Sequence, residues 1–247
     1  MQLLKKKQVR AAGRAVLDVV FPRWCVGCGE AVPGGPMRHV CETCLGGIFF
    51  SRVPHCSTCG WPFFGAVEGT RRCPKCEDLE PNFDEGRTGM LSKDAARAFV
   101  HEIKYHAGWH LRGDLRALIQ RMPTLKTFVT GAVLVPVPLH PRRFRWRGFN
   151  QARWVAEALA AEGGAAGTEE LLARVRDTPT QTRLDREDRE KNMKNAFALR
   201  RGAVVKSPQR YILVDDVFTT GATLNACAKV LRQAGAKRLD VVTLAHG

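Results

Sequence analysis

Two adjacent carboxylates and a run of small hydroxyl residues follow an apolar segment in residues 211–224, YILVDDVFTTGATL. The apolar residues 211–214 predict a short buried strand, and a helical pattern then runs to about Gln233. Asp215 and Asp216 therefore fall in a predicted turn between the strand and the helix. The loop that opens the helix contains Thr219, Thr220, Gly221, Ala222 and Thr223.

This arrangement suits a phosphorylated sugar. Free backbone N–H groups and the helix dipole favour an anion at a helix N-terminus, and the three threonine hydroxyls add donors. Asp215 and Asp216 repel phosphate but accept hydrogen bonds from vicinal hydroxyl groups. A sugar with a 5′-phosphate and free 2′- and 3′-hydroxyls satisfies both halves. The alternative is an ordinary strand-to-helix turn with a threonine cap and two solvated aspartates.

Eight of the nine cysteines form four Cys-x-x-Cys pairs. The pairs are Cys25/Cys28, Cys41/Cys44, Cys56/Cys59 and Cys73/Cys76. Two such turns complete a tetrahedral sulfur site for zinc, so the four predict two zinc sites, paired in sequence or interleaved. Redox-active dithiols are the competing interpretation. We expect positive φ angles at Gly29 and Gly60 and a core position for Cys227.

A basic segment follows the apolar run 132–137. Residues 140–153 contain five arginines and no acidic residue; the arginines are Arg142, Arg143, Arg145, Arg147 and Arg153. Arginines clamp pyrophosphate through paired hydrogen bonds. They also follow nucleic-acid phosphates, with Phe144, Trp146 and Phe149 as stacking surfaces. A solvated basic surface is the third interpretation.

The elements that position these residues alternate between strands and helices. Strands are expected near residues 87–91, 132–137, 171–175, 211–214 and 239–244, and helices near 8–20, 92–105, 111–120, 149–162, 177–195 (second half) and up to 233. This order predicts an α/β domain with a mostly parallel sheet. Ligands of such sheets bind beyond the carboxyl ends of the strands. The Asp215 loop and the loop at 138–150 should therefore face one crevice.

The segment with Asp215 and Asp216 closely resembles the phosphoribosyl-pyrophosphate loop of type I phosphoribosyltransferases. The resemblance implies that the two aspartates bind the ribose hydroxyls and that residues 219–223 hold the 5′-phosphate. It further implies Mg²⁺ on the pyrophosphate and possible transferase chemistry, with Asp215, Asp216 and Arg143 at the reacting centre. Residues 176–183 resemble the loop that closes over substrate in this fold.

The cysteine pairs, the segment PVPLHPRRFRWRGFNQ from Pro136 and the TPTQ run from Thr178 together resemble the ComF family of competence proteins. That resemblance implies an N-terminal helix (1–22), a double zinc-ribbon module (23–80) and a type I phosphoribosyltransferase-like α/β domain (81–247). It implies a role in natural transformation, with imported single-stranded DNA and other competence proteins as partners. A phosphoribosyltransferase of nucleotide metabolism, acting on a nitrogenous acceptor, is the alternative.

The composition agrees with a polyanionic partner. The 247 residues contain 39 Lys and Arg against 24 Asp and Glu, a formal net charge of +15. Such a charge attracts nucleic acid, pyrophosphate or a membrane surface without choosing between them. We predict no secretory segment and no membrane span, and the Cys-x-x-Cys spacing favours a reducing cytoplasm.

We expect the purified chain to contain two zinc ions, because eight thiolates complete two tetrahedral sites. The cysteine segment is too short for a core of its own, so metal binding should also support its folding. Elemental analysis measures the stoichiometry, with chelator-treated protein as the blank. A value near zero together with intact disulfides would contradict the zinc interpretation.

Overall fold

The computed structural model describes residues 23–65, 71–105, 108–177 and 195–247. Three predicted features lie wholly or largely outside these residues. They are the helix at 8–20, the closing loop at 176–183 with its TPTQ run, and the helix in the second half of 177–195.

Seven strands form in the described residues, and five of them make one parallel sheet. Their bounds are Gly86–Leu91 (β1), Val133–Pro136 (β2), Gly167–Thr168 (β3), Leu172–Arg174 (β4), Phe197–Leu199 (β5), Arg210–Phe218 (β6) and Arg238–His246 (β7). The sheet order is β1-β7-β6-β2-β3, and β4 and β5 form a separate antiparallel pair. The predicted parallel α/β architecture is confirmed.

Strand β6 is longer than predicted, and this changes the position of the paired carboxylates. We expected the strand to end at Val214, with Asp215 and Asp216 in the turn after it. The strand instead continues through both aspartates to Phe218. The neighbouring strand β7 is equally long and pairs with β6 throughout, so ladder hydrogen bonds continue past the apolar residues. An apolar run in a sequence indicates which residues of a strand are buried, but it does not show how far the backbone hydrogen bonding to the next strand extends.

Helices cover both sides of the sheet. Their bounds are Glu42–Gly46 (α1), Asp94–Tyr105 (α2), Arg112–Gln120 (α3), Pro123–Val129 (α4), Pro141–Arg147 (α5), Gln151–Gly163 (α6) and Ala222–Gln233 (α7). Short 3-10 turns lie at Pro74–Cys76 and Trp109–Leu111. The sequence patterns predicted α2, α3, α6 and α7 to within about two residues, but not α1 or α4. Among the described residues, no helix combines the length and apolarity needed to cross a bilayer.

The prediction of a loop at 138–150 was wrong, because helix α5 lies within it. Pro141 occupies the first turn, where proline is favoured, and His140 Nδ1 accepts a hydrogen bond from Arg142 N. Gly148 has a φ of 80° and ends the helix. Asn150 then caps α6 by accepting from the backbone N–H of Ala152. The arginines of this segment are therefore distributed around a helix.

Alternate residues of β6 contribute to two separate cores, one on each face of the sheet. Ile212 and Val214 pack in the core that contains Phe99 of α2. Leu213 packs in the core that contains Cys227 of α7, which is fully buried as predicted. A parallel strand with both faces covered explains the continuous apolar run.

The cysteine segment contributes to both of these cores. Met37 and Val40, close to the first group of cysteines, pack with Phe99. The second group of cysteines and Leu79 pack with Leu213 on the opposite face. The segment therefore shares its apolar contacts with the α/β part of the chain.

Backbone hydrogen bonds hold this segment against the edge strand β1. The N–H of Ser51 donates to the carbonyl of Gly89 at 2.9 Å, and the N–H of Leu91 donates to Phe49 at 3.0 Å. The buried carboxylate of Asp114 on α3 adds a side-chain contact by accepting the backbone N–H groups of Arg38 and His39. The segment thus covers a sheet edge that would otherwise expose unpaired backbone groups.

Candidate functional site

A cavity of about 260 Å³ lies at the carboxyl ends of β2 and β6. It is called the first cavity below. The segment with Asp215 and the segment 138–150 both contribute residues to this cavity, as expected for one crevice in a parallel sheet. Its lining residues are Lys104, Tyr105, Val137, Pro138, Leu139, Arg143, Arg147, Gln151, Arg174, Asp215, Asp216, Val217, Thr219 and Thr223.

Asp216 is buried and forms an ion pair with a lysine that the sequence analysis did not single out. Its Oδ2 atom lies 2.9 Å from Lys104 Nζ at the end of α2. Burial opposes a charged lysine, but the attraction of Asp216 outweighs it and the pKa of Lys104 is raised. The lysine ammonium therefore remains as a counter-charge within the first cavity.

The neighbouring carboxyl, Asp215, is in a different electrostatic situation. Burial, and then repulsion from the adjacent Asp216 carboxylate, raise the pKa of Asp215 to about 8. Its Oδ1 atom accepts a hydrogen bond from the backbone N–H of Asp216 at 2.9 Å. Near neutral pH the Asp215 carboxyl therefore holds its proton.

The threonine loop contributes two of its five predicted residues to the lining, Thr219 and Thr223. Gly221 precedes α7 with a φ of 77°, a left-handed conformation that favours glycine. An added Cβ there would lie 2.8 Å from Cζ of Phe218, so the turn has no room for a side chain. Thr220 and Ala222 lie in the same turn, where Thr220 Oγ1 accepts from the N–H of Ala222 at 3.4 Å.

Helix α5 separates the arginines that the sequence analysis grouped together. Arg143 and Arg147, four residues apart, line the first cavity. Arg145 lines a different cavity. Arg142 and Trp146 are largely exposed, with 80% of the Arg142 side chain and 70% of Trp146 accessible. The four arginines therefore do not form one surface.

The arginines in the first cavity are held by specific contacts. Arg147 Nη1 donates to Gln151 Oε1 at 2.6 Å, and its guanidinium lies over the Tyr105 ring. Burial lowers the pKa of Arg147 from its ordinary value, although the group stays charged. Arg143 Nε lies 3.8 Å from Asp177 Oδ1, an acidic neighbour outside the basic segment.

Lys104 could have been found from the sequence by its helical spacing. Ala96 and Val100 are buried on the inner face of α2, and Lys104 continues the same stripe at the next four-residue step. A charge on an apolar stripe requires a partner, because an unpaired buried charge is costly. Arg174 carries a similar signal, since it lies two residues after buried Leu172 and so on the same face of β4.

The eight paired cysteines form two groups of four, so pairing in sequence is confirmed. Each group brings four sulfur atoms within 4.8 Å of one another; the groups are Cys25, Cys28, Cys41 and Cys44, and Cys56, Cys59, Cys73 and Cys76. The distance is 3.8 Å between the Cys28 and Cys41 sulfurs and 3.7 Å between the Cys59 and Cys73 sulfurs. Tetrahedral zinc with Zn–S bonds of about 2.3 Å places its sulfurs about 3.8 Å apart. Both groups fit structural zinc.

The local geometry of the cysteine turns supports this assignment. Gly29 and Gly60 have φ angles of 78° and 75°, as predicted. The backbone N–H of Cys73 donates to the sulfur of Cys56 at 3.2 Å, which orients a ligand atom. A Cβ at Gly60 would lie 2.3 Å from the backbone N of Thr88, so the second group is pressed against β1.

The fold and these sites define a parallel α/β protein with two four-cysteine zinc-type sites. Comparison with known proteins agrees. The family model for the double zinc ribbon domain matches residues 16–77. The chain is 30% identical over 206 residues to DNA utilization protein YhgH of Salmonella typhimurium, covering 82% of this chain and 88% of that protein.

Two further relatives have competence names. Competence protein F of Haemophilus influenzae is 29% identical over 226 residues, covering 83% of this chain and 96% of that protein. Competence protein ComFC of Streptococcus pneumoniae is 29% identical over 204 residues, covering 76% and 86%. The chain belongs to the ComF family.

The raised pKa of Asp215 makes a testable prediction about stability and pH. Because the folded pKa of about 8 exceeds the unfolded value near 4, wild-type protein should lose stability as pH rises between these values. Asp215→Asn removes this loss. The stability difference in favour of the variant should grow from pH 6 to 8, by at most roughly 1.4 kcal/mol per pH unit, and level off above pH 8.

Thermal unfolding of the zinc-loaded protein at several pH values provides the measurement. Thr219→Val, in the same cavity but without a titrating group, is the control and should give a constant difference. A difference for Asp215→Asn that does not change between pH 6 and 8 would contradict the electrostatic description of the pair.

Proposed function

We propose that this chain binds phosphoribosyl pyrophosphate in the first cavity and handles imported single-stranded DNA in the cytoplasm during natural transformation. The observation that supports the sugar-phosphate assignment best is the convergence of two carboxylates, two threonines and several cations on one cavity. This is the set of donors and acceptors that the ligand requires.

Different residues of the first cavity would bind different groups of the ligand. Asp215 and Asp216 would accept hydrogen bonds from the ribose hydroxyls, and Thr219 and Thr223 at the start of α7 would hold the 5′-phosphate. The pyrophosphate would lie toward the arginines. Among the described residues, four cations and two carboxyl groups line the cavity, and the cations are Lys104, Arg143, Arg147 and Arg174. This excess of positive charge suits a polyanionic ligand.

The same residues fit Mg²⁺ carried by the ligand. The ion prefers phosphate and carboxylate oxygens, and Asp215 and Asp216 present carboxyl oxygens in the first cavity. When bound, Mg²⁺ would screen the negative charge of the pyrophosphate. The chain's own contribution would be to position the sugar and to place Arg143 beside the pyrophosphate.

The names of the relatives and the positive charge of the chain support the proposal that it handles DNA. Relatives covering most of the chain are named competence protein F, competence protein ComFC and DNA utilization protein. The chain has a formal net charge of +15. The exposed side of α5 presents Arg142 and Trp146, a cation and a stacking surface suited to a single strand.

A phosphoribosyltransferase acting on a nitrogenous acceptor is the second candidate function. Arg143, Arg147 and Arg174 favour it, because they line the cavity where departing pyrophosphate would need cations. The bond between C1 of the ribose and the pyrophosphate oxygen would break, and the acceptor nitrogen would bond to C1. Release of pyrophosphate across a panel of acceptors, absent from Arg143→Gln, would distinguish catalysis from binding alone.

The ribose contact can be tested by comparing ribose 5-phosphate with 2-deoxyribose 5-phosphate. We expect wild type to prefer the ribose form about tenfold or more, because a hydrogen bond to a charged group contributes roughly 1.5–3 kcal/mol. Asp216→Ala should remove much of the preference, and Asp216→Asn should retain part of it. Substituting Asp216 also leaves Lys104 unpaired, but this affects the binding of both sugars. It therefore cancels in the ratio of the affinities for ribose 5-phosphate and 2-deoxyribose 5-phosphate.

Calorimetry on zinc-loaded protein gives both affinities, and Trp146→Ala, on the exposed side of α5, is the matched control. An equal ratio in wild type and Asp216→Ala would exclude contact between Asp216 and the 2′-hydroxyl.

Single-stranded DNA binding should weaken steeply with salt, because each neutralised phosphate releases counterions, with a slope of roughly −0.7 per contact. Trp146→Ala should cost about 1–3 kcal/mol without changing the slope. Arg142→Gln combined with Arg145→Gln should reduce the slope by roughly one to two. Anisotropy titrations of a labelled oligonucleotide measure both quantities. Binding unaffected by these substitutions would place any DNA surface elsewhere on the chain.

A further inference from the structure

A second cavity of about 380 Å³ lies beside the first one and shares only part of its lining with it. It is bounded by the end of β2, helix α5, the start of α6 and the strand β4. Its volume is within the range of sites that bind small molecules. Pro138, Leu139 and Arg174 line both cavities and so form a shared wall.

Part of the lining of the second cavity is apolar. Pro136, Pro138 and Pro141 line it without offering any backbone N–H group. Phe144 lines it too and keeps 48% of its surface exposed, so its ring is accessible to a ligand. An aromatic ring beside prolines is a stacking surface for a planar ligand.

Another part of the lining of the second cavity is positively charged. Arg153 Nη1 donates to Glu170 Oε1 at 3.2 Å, and Arg200 Nη1 donates to the other oxygen of the same carboxylate. Arg153 also contacts Glu157. Among the described residues that line this cavity, four are arginines, Arg145, Arg153, Arg174 and Arg200, and one is acidic, Glu170.

We propose that the second cavity binds a nucleoside phosphate, with the base on Phe144 and the prolines and the phosphate at Arg145 and Arg200. An aromatic ring and prolines that line the same cavity as several arginines suit a ligand that is aromatic at one end and anionic at the other. This site goes beyond the proposed function, since it is independent of ribose binding in the first cavity. The ligand has two sources, a free nucleotide or one nucleotide of a single strand.

The test uses the full zinc-loaded chain and thymidine 5′-monophosphate as the probe, measured by calorimetry. Thymidine and inorganic phosphate, each carrying half of the recognised chemistry, should bind far more weakly than the nucleotide. Phe144→Ala should weaken binding about fivefold or more through lost stacking. Arg200→Gln should weaken it about tenfold through a lost charged hydrogen bond. Both side chains are exposed enough to be replaced without opening a core.

A cavity-filling variant and two control variants show whether a change in nucleotide binding comes from the second cavity. Ala173→Leu narrows the second cavity without changing charge and should also weaken binding. Trp146→Ala, outside both cavities, and Thr223→Val, in the first cavity, should leave it unchanged. Melting temperatures identify any variant that fails to fold. Ribose 5-phosphate binding, followed in parallel, reports on the first cavity separately, so failure of either site is seen independently of the other.

Competition identifies the source of the ligand. If an oligothymidylate displaces the mononucleotide and is weakened by the same variants, the site takes a nucleotide of a single strand. If the oligonucleotide does not compete, the site takes a free nucleotide. Equal affinity of wild type, Phe144→Ala, Arg200→Gln and Ala173→Leu overturns the proposal. So does loss of nucleotide binding in Thr223→Val alone, or binding of an aromatic acidic peptide without any binding of the nucleotide.

Discussion

The ion pair between Lys104 and Asp216 is the contact on which the first cavity depends. A buried carboxylate needs a partner, and the lysine ammonium at 2.9 Å supplies it from the last turn of α2. The adjacent Asp215 is buried and lies next to the Asp216 carboxylate, and these two effects keep its pKa high. The lysine therefore supplies a positive charge beside the two carboxyl groups and also ties the end of α2 to the sheet.

Helix α2 also connects this pair to the first cysteine site. A Cβ at Gly27 would lie 2.9 Å from the Cβ of Ala95, so the first cysteine turn rests directly on the start of α2. Phe99, in the middle of the helix, packs in the core that receives Met37 from the cysteine segment. The second cysteine group packs on the opposite face of the sheet. Structural metal at either site would therefore stabilise the sheet edge as well as its own turns.

Features that depend on local sequence patterns could be predicted from the sequence. The cysteine spacing indicated two tetrahedral sites, and glycines at 29 and 60 indicated their positive φ angles. Apolar periodicity located most strands and helices. It could not show that β6 extends to Phe218, because that depends on the length of β7. It also could not separate Arg143 from Arg145, because the two diverge only once Pro141 starts a helix. Lys104 was missed because a charge at a helix end usually faces solvent.

The most direct measurement is a crystal structure of the zinc-loaded protein grown with phosphoribosyl pyrophosphate and Mg²⁺. We predict density for the ribose at Asp215 and Asp216, the 5′-phosphate between Thr219 and Thr223, and the pyrophosphate toward Arg143 and Arg147. Density confined to the second cavity, or an empty first cavity at saturating ligand with the Lys104–Asp216 pair intact, would contradict the assignment of the first cavity as a sugar-phosphate site.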